Sequence, residues 1–181
     1  MKELALHILD IAENCIAAGA GRVSISVWDE DSTGFQFIRI EDNGSGMNEE
    51  ETSRVADPFY TSRTTRRVGM GIPLFCQHAE MAGGGLKIHS ENGVGTMVEA
   101  RFQLDHPDRQ PLGDLEGSWI LLVSSNPGIE WELKCETGNG IFCISTSQIR
   151  RELDLEFIQG SALKNDLKRM IRNNLDELGL K

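Results

Sequence analysis

A long stretch without regular periodicity, residues 42–69, separates a predicted β-strand from a predicted α-helix. It is rich in Gly, Asn, Glu and Arg, contains the single proline Pro58, and has one short helix predicted over 48–56. Loops of this length are uncommon in compact domains, and those that occur usually serve a function. We therefore expect the functional residues of this chain to lie in and around this loop.

The segments on either side of the loop have clear hydrophobic periodicity. Leu4, Ile8, Ile11 and Cys15 recur on one face of a helix, which Gly19-Ala20-Gly21 ends. Alternating apolar residues predict strands, and helical spacing predicts a second helix. The further predictions, in chain order, are strands over 23–27 and 35–40, a helix over about 71–82, and strands near 86–90 and 96–103.

The C-terminal part follows a segment that we interpret as a linker, residues 105–113, because it carries two prolines and a glycine among charged residues. We expect one domain over 1–104 and a small α+β extension over 114–181. The predictions for the extension are helical spacing from Leu112 to Leu122 with a strand as the alternative for Trp119–Val123, a hairpin over 129–136 and 140–145, a short helix that Ser145 opens, and a final helix capped by Ser161 and Gly179. The extension is small for an independent core, so we expect it to dock on the first domain or to form a partner or dimer surface.

Composition excludes several classes of protein. The 181-residue chain has a formal net charge of −10 and lacks the basic surface that general binding to nucleic acid requires. No apolar run approaches the roughly 18 residues of a membrane span, and the N-terminus lacks the features of a secretory signal. We expect a cytoplasmic protein that binds neither nucleic acid nor membrane. Cys135 and Cys143 flank a hairpin turn, where they are either a redox pair or two unreactive thiols.

Asp10 and Asn14 are i, i+4 neighbours on the first predicted helix, so their side chains share one face. A carboxylate and an amide oxygen one turn apart can hold Mg²⁺, which prefers hard oxygen ligands and takes few of them from protein. Polar pairs at this spacing are also common on exposed helix faces. The pair alone therefore leaves both interpretations open.

Two glycine-containing segments border predicted strands. In Asp42-Asn43-Gly44-Ser45-Gly46, the glycines let the backbone approach a ligand, and the carboxylate can accept a hydrogen bond from a ligand amine. A plain turn has the same composition. The second segment, Gly93-Val94-Gly95-Thr96, is a turn before the last strand of the first domain.

A third glycine segment, Gly69-Met70-Gly71, opens the predicted helix after the long loop. Free N–H groups at a helix start, with no side-chain bulk, form an anion site, although a flexible hinge would have the same residues. Arg63, Arg66 and Arg67 lie just upstream, where their guanidinium groups can reach phosphates.

Together these segments resemble the GHKL superfamily of ATPases, which includes histidine kinases, anti-sigma serine kinases, type II topoisomerases, DNA mismatch-repair ATPases and a heat-shock chaperone. The matching segments are Asp10-x-x-x-Asn14 for the asparagine box, Asp42-x-Gly44-x-Gly46 for the first glycine box, residues 57–63 for the F box that opens the ATP lid, residues 69–74 for the second glycine box, and Gly93-x-Gly95-Thr96 for the start of the final strand. The match covers about residues 3–103, and five elements in the family's order are far more specific than any one of them.

The resemblance implies a two-layer α/β sandwich, in which a mixed, mainly antiparallel sheet carries helices on one face and ATP lies between helices and lid. It implies that Asn14 ligates Mg²⁺ and that Asp10 occupies the position of the hydrolytic base. Asp42 would accept a hydrogen bond from the adenine amine, and Thr96 would support it directly or through water. The other implied ATP-binding residues are Gly44, Gly46, Arg63, Arg66, Arg67, Gly69, Met70 and Gly71.

Three departures from the family pattern bear on activity. Hydrolytic members commonly have Glu where this chain has Asp10, and catalysis is sensitive to displacements of about 1 Å, so hydrolysis has less support than binding. Pro73 replaces a non-proline residue at a place where the first turn of a helix tolerates it. The lid between Asp57 and Gly69 is short. His7 lies one turn before Asp10, where it could tune that carboxylate, but a surface histidine is the expectation.

The leading hypothesis is an ATP-dependent protein kinase that acts in trans on a separate protein. Only six residues precede His7, which leaves no room for the phospho-acceptor hairpin of histidine kinases, and the lid resembles the kinase branch. The alternatives are a nucleotide-gated switch with slow ATP hydrolysis and a non-catalytic ATP-binding module. We expect ATP, Mg²⁺ and an unidentified protein partner as ligands, with a homodimer as a further option.

Overall fold

A computed structural model describes residues 3–55, 71–154, 158 and 160–180. Its helices and strands, in chain order, are α1 (Leu4–Ala17), β1 (Arg22–Glu30), β2 (Phe35–Asp42), α2 (Glu49–Arg54), α3 (Gly71–Met81), β3 (Gly85–Glu91), β4 (Gly95–Gln103), α4 (Leu115–Ser125), β5 (Glu130–Thr137), β6 (Gly140–Ser145), α5 (Thr146–Leu153) and α6 (Ser161–Leu178). The predicted elements are all present, with ends that differ by a few residues. No helix among the described residues is long and apolar enough to cross a membrane.

The six strands form one sheet in the order β3-β4-β2-β1-β5-β6. All neighbouring strands are antiparallel except β1 and β5, which are parallel. Alternate residues of each strand face the helices, as shown by the paired core residues Ile25, Ile40 and Leu133, which are at most 1% exposed. Helices α1, α3 and α6 pack on this face, and α4 packs on α1 and α6. The predicted two-layer sandwich with a mixed, mainly antiparallel sheet is confirmed.

The extension continues the sheet of the first hundred residues. Strand β5 pairs with β1, and its Trp131 and Leu133 are fully buried in the same hydrophobic core as α1. The segment before α4 is tied to the start of α1, because Leu4 N–H donates to the Pro111 carbonyl at 3.0 Å. Residues on both sides of the predicted linker thus build one sheet and one core.

Two local predictions about the extension are resolved by the structure. Trp119–Val123, for which helix and strand were both open, lies within helix α4, and Trp119 is fully buried. The prediction that Ser161 caps the last helix was wrong, since Gly160 occupies the N-cap position and makes no side-chain bond, while Gly179 ends the helix in the left-handed conformation as expected. Ser161 is instead the first helical residue.

Cys135 and Cys143 are not opposite each other in the β5–β6 hairpin. Cys135 pairs with Phe142, and Cys143 pairs with Lys134. Because successive residues of a strand face opposite sides, the thiol of Cys135 is buried against the helices and that of Cys143 is exposed on the other face. The two thiols therefore do not form a redox pair within this hairpin.

Candidate functional site

The polar pair on α1 faces the start of α3. A Cβ atom added to Gly71 would lie 3.3 Å from Asp10 Cβ and 4.0 Å from Asn14 Nδ2. Both side chains are half-buried. A glycine at position 71 therefore lets the first described turn of α3 lie directly against the two oxygen-bearing side chains.

The first glycine segment folds tightly at the end of β2. The Oδ1 atom of Asp42 accepts a hydrogen bond from Gly44 N–H at 2.7 Å, and Ser45 N–H donates to the Ala18 carbonyl at 2.9 Å. A Cβ atom on Gly44 would lie 2.8 Å from that carbonyl oxygen. The segment is thus packed against the C-terminal end of α1, and glycine is needed where the two backbones meet.

Asn43, within the same segment, has a structural function that the sequence did not indicate. Its Oδ1 atom accepts hydrogen bonds from Gly21 N–H at 2.9 Å and Arg22 N–H at 2.8 Å. These bonds join the end of β2 to the start of β1. The Asn43 side chain therefore fixes the base of the loop on which Asp42 and Gly44 lie.

The Gly93–Thr96 turn packs on the first glycine segment. Gly93 N–H donates to the Ser45 carbonyl at 2.7 Å, and a Cβ atom on Gly95 would lie 1.9 Å from the Asp42 carbonyl oxygen. Thr96 is the Cα partner of Asp42 in the β2–β4 ladder. Because paired residues of a sheet face the same side, the Asp42 carboxylate and the Thr96 hydroxyl lie next to each other on the helix-covered face.

Two further side chains at this end of the sheet were missed by sequence reasoning. Ser90, the β3 partner of Thr96, has its Oγ atom 2.8 Å from Thr96 Oγ1. Cys15 follows Asn14 on α1 and lies against Asp42, where burial and the nearby carboxylate raise the pKa of its thiol well above its usual value. Only its position directly after Asn14 could have drawn attention to Cys15, and nothing in the sequence marked Ser90.

His7 is fully buried, so the prediction that it is a surface residue was wrong. Its ring stacks on Phe75 with centroids 5.3 Å apart and makes an edge contact with His78 at 4.8 Å, both on α3. Burial and the neighbouring His78 lower the pKa of His7 from 6.5 to about 4. A neutral imidazole therefore lies in the α1–α3 interface, one turn before Asp10.

The predictions on Arg63, Arg66, Arg67, Gly69 and Met70 lie outside the described residues. They stay predictions. Pro73 is the third residue of α3 as described, and it is buried.

Known proteins resemble this chain in sequence and in fold. The family of histidine kinase-, DNA gyrase B- and HSP90-like ATPases matches residues 2–106. The chain also resembles a crystal structure of the N-terminal domain of a DNA repair protein, with a TM-score of 0.57 and 18% identity, covering 81% of this chain and 53% of that one. At this identity the second likeness concerns the fold alone.

Curated relatives include signalling kinases. The chain is 27% identical over 144 residues to the autoinducer 2 sensor kinase/phosphatase LuxQ of Vibrio cholerae, covering 70% of this chain and 17% of that protein. It is 31% identical over 111 residues to sporulation kinase E of Bacillus subtilis, covering 61% and 14%. A shorter match, 38% over 56 residues, covers 31% of this chain and 8% of the DNA mismatch repair protein MutL of Chlorobium phaeobacteroides. The chain thus spans less than a fifth of the length of these relatives. The match over residues 2–106 shows that it belongs to the histidine kinase-, DNA gyrase B- and HSP90-like ATPase family.

Proposed function

We propose that this member of the histidine kinase-, DNA gyrase B- and HSP90-like ATPase family binds ATP with Mg²⁺ and transfers the γ-phosphate to a separate protein. The observation that carries the proposal is the meeting of two polar groups of residues around the end of α1. Asp10 and Asn14 face Gly71 at the start of α3, and Asp42 lies beside Thr96 at the end of the sheet. Asp10 and Asn14 suit a metal-bound phosphate, and Asp42 with Thr96 suits the adenine ring of the nucleotide.

Adenine would bind at the Asp42 end of the site. The carboxylate accepts hydrogen bonds only, so it matches the amine of adenine and repels the carbonyl that guanine has at the same ring position. A side chain at Gly44 would collide with this carboxylate, since a Cβ atom there would lie 2.9 Å from Asp42 Oδ1. Recognition of the base therefore rests on Asp42, with Thr96 as the neighbouring hydroxyl.

The α1 side chains fit Mg²⁺ by their chemistry. Asn14 presents an amide oxygen and Asp10 a carboxylate, both half-buried, and Mg²⁺ takes one or two such ligands while phosphates and water complete its shell. In this proposal Asn14 would hold the ion through its amide oxygen, and bound Mg²⁺ would supply positive charge for the phosphates. The Asp10 carboxylate would accept the proton of the attacking group. The phosphates would lie near Gly71, and the family resemblance adds Gly69, Met70 and the arginines at 63, 66 and 67 as contacts.

Transfer to a separate protein is favoured over hydrolysis for a chemical reason. Attack by water needs a base that takes its proton, and the carboxylate of Asp10 is one methylene shorter than the usual Glu. A protein substrate that brings its own nucleophile depends less on that base. The similarity to LuxQ, a sensor kinase/phosphatase, and to sporulation kinase E supports this choice. The alternative is a nucleotide-gated switch that hydrolyses ATP slowly, and a non-catalytic module is the third option.

A protein partner is part of the proposal, and the extension offers a surface for it. Strand β6 ends the sheet, contains no charged residue, and has Ile141 63% exposed and Cys143 exposed. An uncharged edge strand presents unpaired backbone groups to which a second strand can add. We propose this edge as the contact for the protein partner.

The experiment that tests the proposal follows radiolabelled γ-phosphate in a lysate of the source cells. Wild type is compared with Asp10→Asn and Asn14→Ala. We expect wild type to label a protein, to show slow hydrolysis alone, and to lose labelling in Asn14→Ala. Hydrolysis without labelling that Asp10→Asn abolishes would establish the switch instead, because an amide cannot take a proton from water. Binding without either activity would leave only the binding module.

A further inference from the structure

A groove lies on the face of the sheet opposite helix α1, where β1 and β5 end. It is lined by residues 26–31, Arg39, Lys134 and residues 136–138, and its volume is about 510 Å³. Cavities of roughly 300–1,000 Å³ hold small ligands in proteins. Trp28, Lys134 and Glu136 alternate along their strands with residues that are fully buried against the helices, so their side chains point away from the proposed nucleotide site. The groove is therefore a second, separate surface.

The indole of Trp28 forms one wall of the groove. Phe37, its partner in β2, stacks on the ring with centroids 5.0 Å apart and an angle of 6° between the planes. Arg39, also in β2, has its guanidinium carbon 5.2 Å from the ring centroid. The partner of Trp28 on the other side is Glu136 of β5, so the second face of the indole is turned towards the groove. An aromatic face at such a position attracts a cation.

The two cations that line the groove are already paired with carboxylates. Arg39 pairs with Glu99 at 2.5 Å, and Lys134 pairs with Glu136 at 2.8 Å. Because their positive charge is largely neutralised by these pairs, the groove does not favour an anionic ligand.

The acidic turn at the end of β1 has no such cation. Asp31 lines the groove, and its Oδ2 atom would lie 2.6 Å from a Cβ atom added to Gly138, so the carboxylate lies beside the β5–β6 turn. No described residue forms an ion pair with Asp31 or with its neighbour Glu30. The groove thus has excess negative charge beside an aromatic wall, in a chain with a formal net charge of −10. A basic side chain is its electrostatic complement.

We propose that this groove receives an arginine side chain of the protein partner, whose guanidinium group lies against Trp28 and pairs with Asp31. A guanidinium group is planar, so it can stack on an aromatic ring and bond a carboxylate at once, whereas the ammonium group of lysine is a compact point charge. The inference rests on the proposed partner contact at the β6 edge, which the groove borders because Glu136 pairs with Ile141 of β6. It adds the chemistry of the partner: an arginine next to the segment that pairs with β6.

An NMR titration of the full chain with N-acetyl-arginine amide tests the groove directly. The reporter is the indole N–H of Trp28, while the other two tryptophans, Trp119 and Trp131, are fully buried and serve as internal references. We expect a saturable shift of the Trp28 signal and none of the other two. The citrulline counterpart, which has nearly the same shape without the charge, and the lysine counterpart should each bind about threefold more weakly or less.

Two variants and a control assign the binding to the groove. Asp31→Asn, in an exposed turn, should weaken binding of the arginine probe about threefold, as expected for the loss of one exposed ion pair. Trp28→Leu, followed at the Gly138 amide, should weaken it at least as much. Glu132→Gln should keep the wild-type affinity, since Glu132 is exposed on the same face of β5 and does not line the groove. Equal binding of the three probes, or an Asp31→Asn variant that binds as wild type does, would overturn the proposal even if Trp28→Leu fails to fold.

The labelling assay connects the groove to the proposed function. Asp31→Asn should lower the rate of γ-phosphate transfer to the protein partner about threefold and leave the affinity for MgATP unchanged. Labelling at the wild-type rate would overturn the groove as a partner contact. If wild type labels no protein, the proposed function fails, and the titration with the arginine probe still decides whether the groove binds arginine.

Discussion

Glycine is required at position 46 for two independent reasons. Its φ of +64° is one that side chains other than glycine rarely adopt, and a Cβ atom there would lie 1.9 Å from the Glu91 carbonyl oxygen. Gly34, in the β1–β2 turn, has a similar φ of +71° but no atom within 4 Å of an added Cβ. A comparison of substitutions at Gly46 and Gly34 therefore separates the cost of backbone strain from the cost of a steric clash.

Gly34→Ala should therefore lower the free energy of unfolding by about 1–2 kcal/mol, the strain of a left-handed residue, and leave ATP affinity unchanged. Gly46→Ala should lower it further and also weaken ATP binding, because the β3–β4 turn must move away from Asp42. Urea unfolding and calorimetry measure the two quantities. Equal effects of the two substitutions on both quantities would show that the contact with Glu91 has no part in shaping the site.

Asn14 is the side chain to which we assign the metal. Asn14→Ala should weaken binding of MgATP about tenfold or more, and should change binding of ATP in the presence of a chelator much less. Glu13→Ala is the control, since Glu13 is exposed on the neighbouring position of α1 and points about 100° away. An equal loss with and without the chelator would mean that Asn14 acts by packing.

At the scale of single elements, helices α1 and α3 hold the two halves of the proposed phosphate site together. The side chain of His7 lies between them, stacked on Phe75. Its pKa is lowered from 6.5 to about 4, so the folded state binds fewer protons than the unfolded state between these values. Stability then rises with pH through this window and is lost as pH falls from 6.5 towards 4.

Between pH 7 and pH 5, protonation of His7 in the unfolded state should lower the free energy of unfolding by roughly 2 kcal/mol. Urea unfolding at the two pH values should show that His7→Phe removes most of this decrease. His89→Phe, at an exposed position on β3, should keep it. A decrease that is the same in wild type and His7→Phe would assign the pH dependence to other groups.

The helices and strands could largely be predicted from sequence, because they depend on the hydrophobic periodicity of neighbouring residues. Periodicity at Leu4, Ile8 and Ile11 is sufficient to specify α1 and its buried face. The contacts of His7 and Ser90 could not be predicted from sequence. His7 contacts Phe75 and His78 on α3, and Ser90 accepts a hydrogen bond from Met47. These partners are distant in sequence, so no short-range pattern indicates them. The glycine positions were noted from sequence, whereas the carbonyl groups that require them, of Ala18, Glu91 and Asp42, became known only from the fold.

At the scale of the whole molecule, the extension is part of the scaffold of the site. It supplies β5, the neighbour of β1, and α4, which packs on α1, the helix that carries Asp10 and Asn14. It also contributes the ion pair between the buried Glu116, 1% exposed, and Arg172, whose side chain is 54% exposed. Burial of a carboxylate requires such a partner.

A chain cut after residue 104 should therefore fail to fold cooperatively, because it exposes the edge of β1 and removes Trp119, Trp131 and Leu133 from the core. Far-UV circular dichroism during urea titration is the measurement. Cooperative unfolding of residues 1–104 with the stability of the full chain would show that the extension is an independent appendage.

The central claim is that ATP binds with its base at Asp42, and calorimetry of MgATP with Asp42→Asn tests it most directly. The amide presents donors towards the adenine amine, which should cost roughly 1–3 kcal/mol, or about tenfold in affinity or more. Glu41→Gln, the same change one residue earlier on the exposed face of β2, should leave affinity within about twofold of wild type. A folded Asp42→Asn variant that binds MgATP as tightly as wild type would contradict the account.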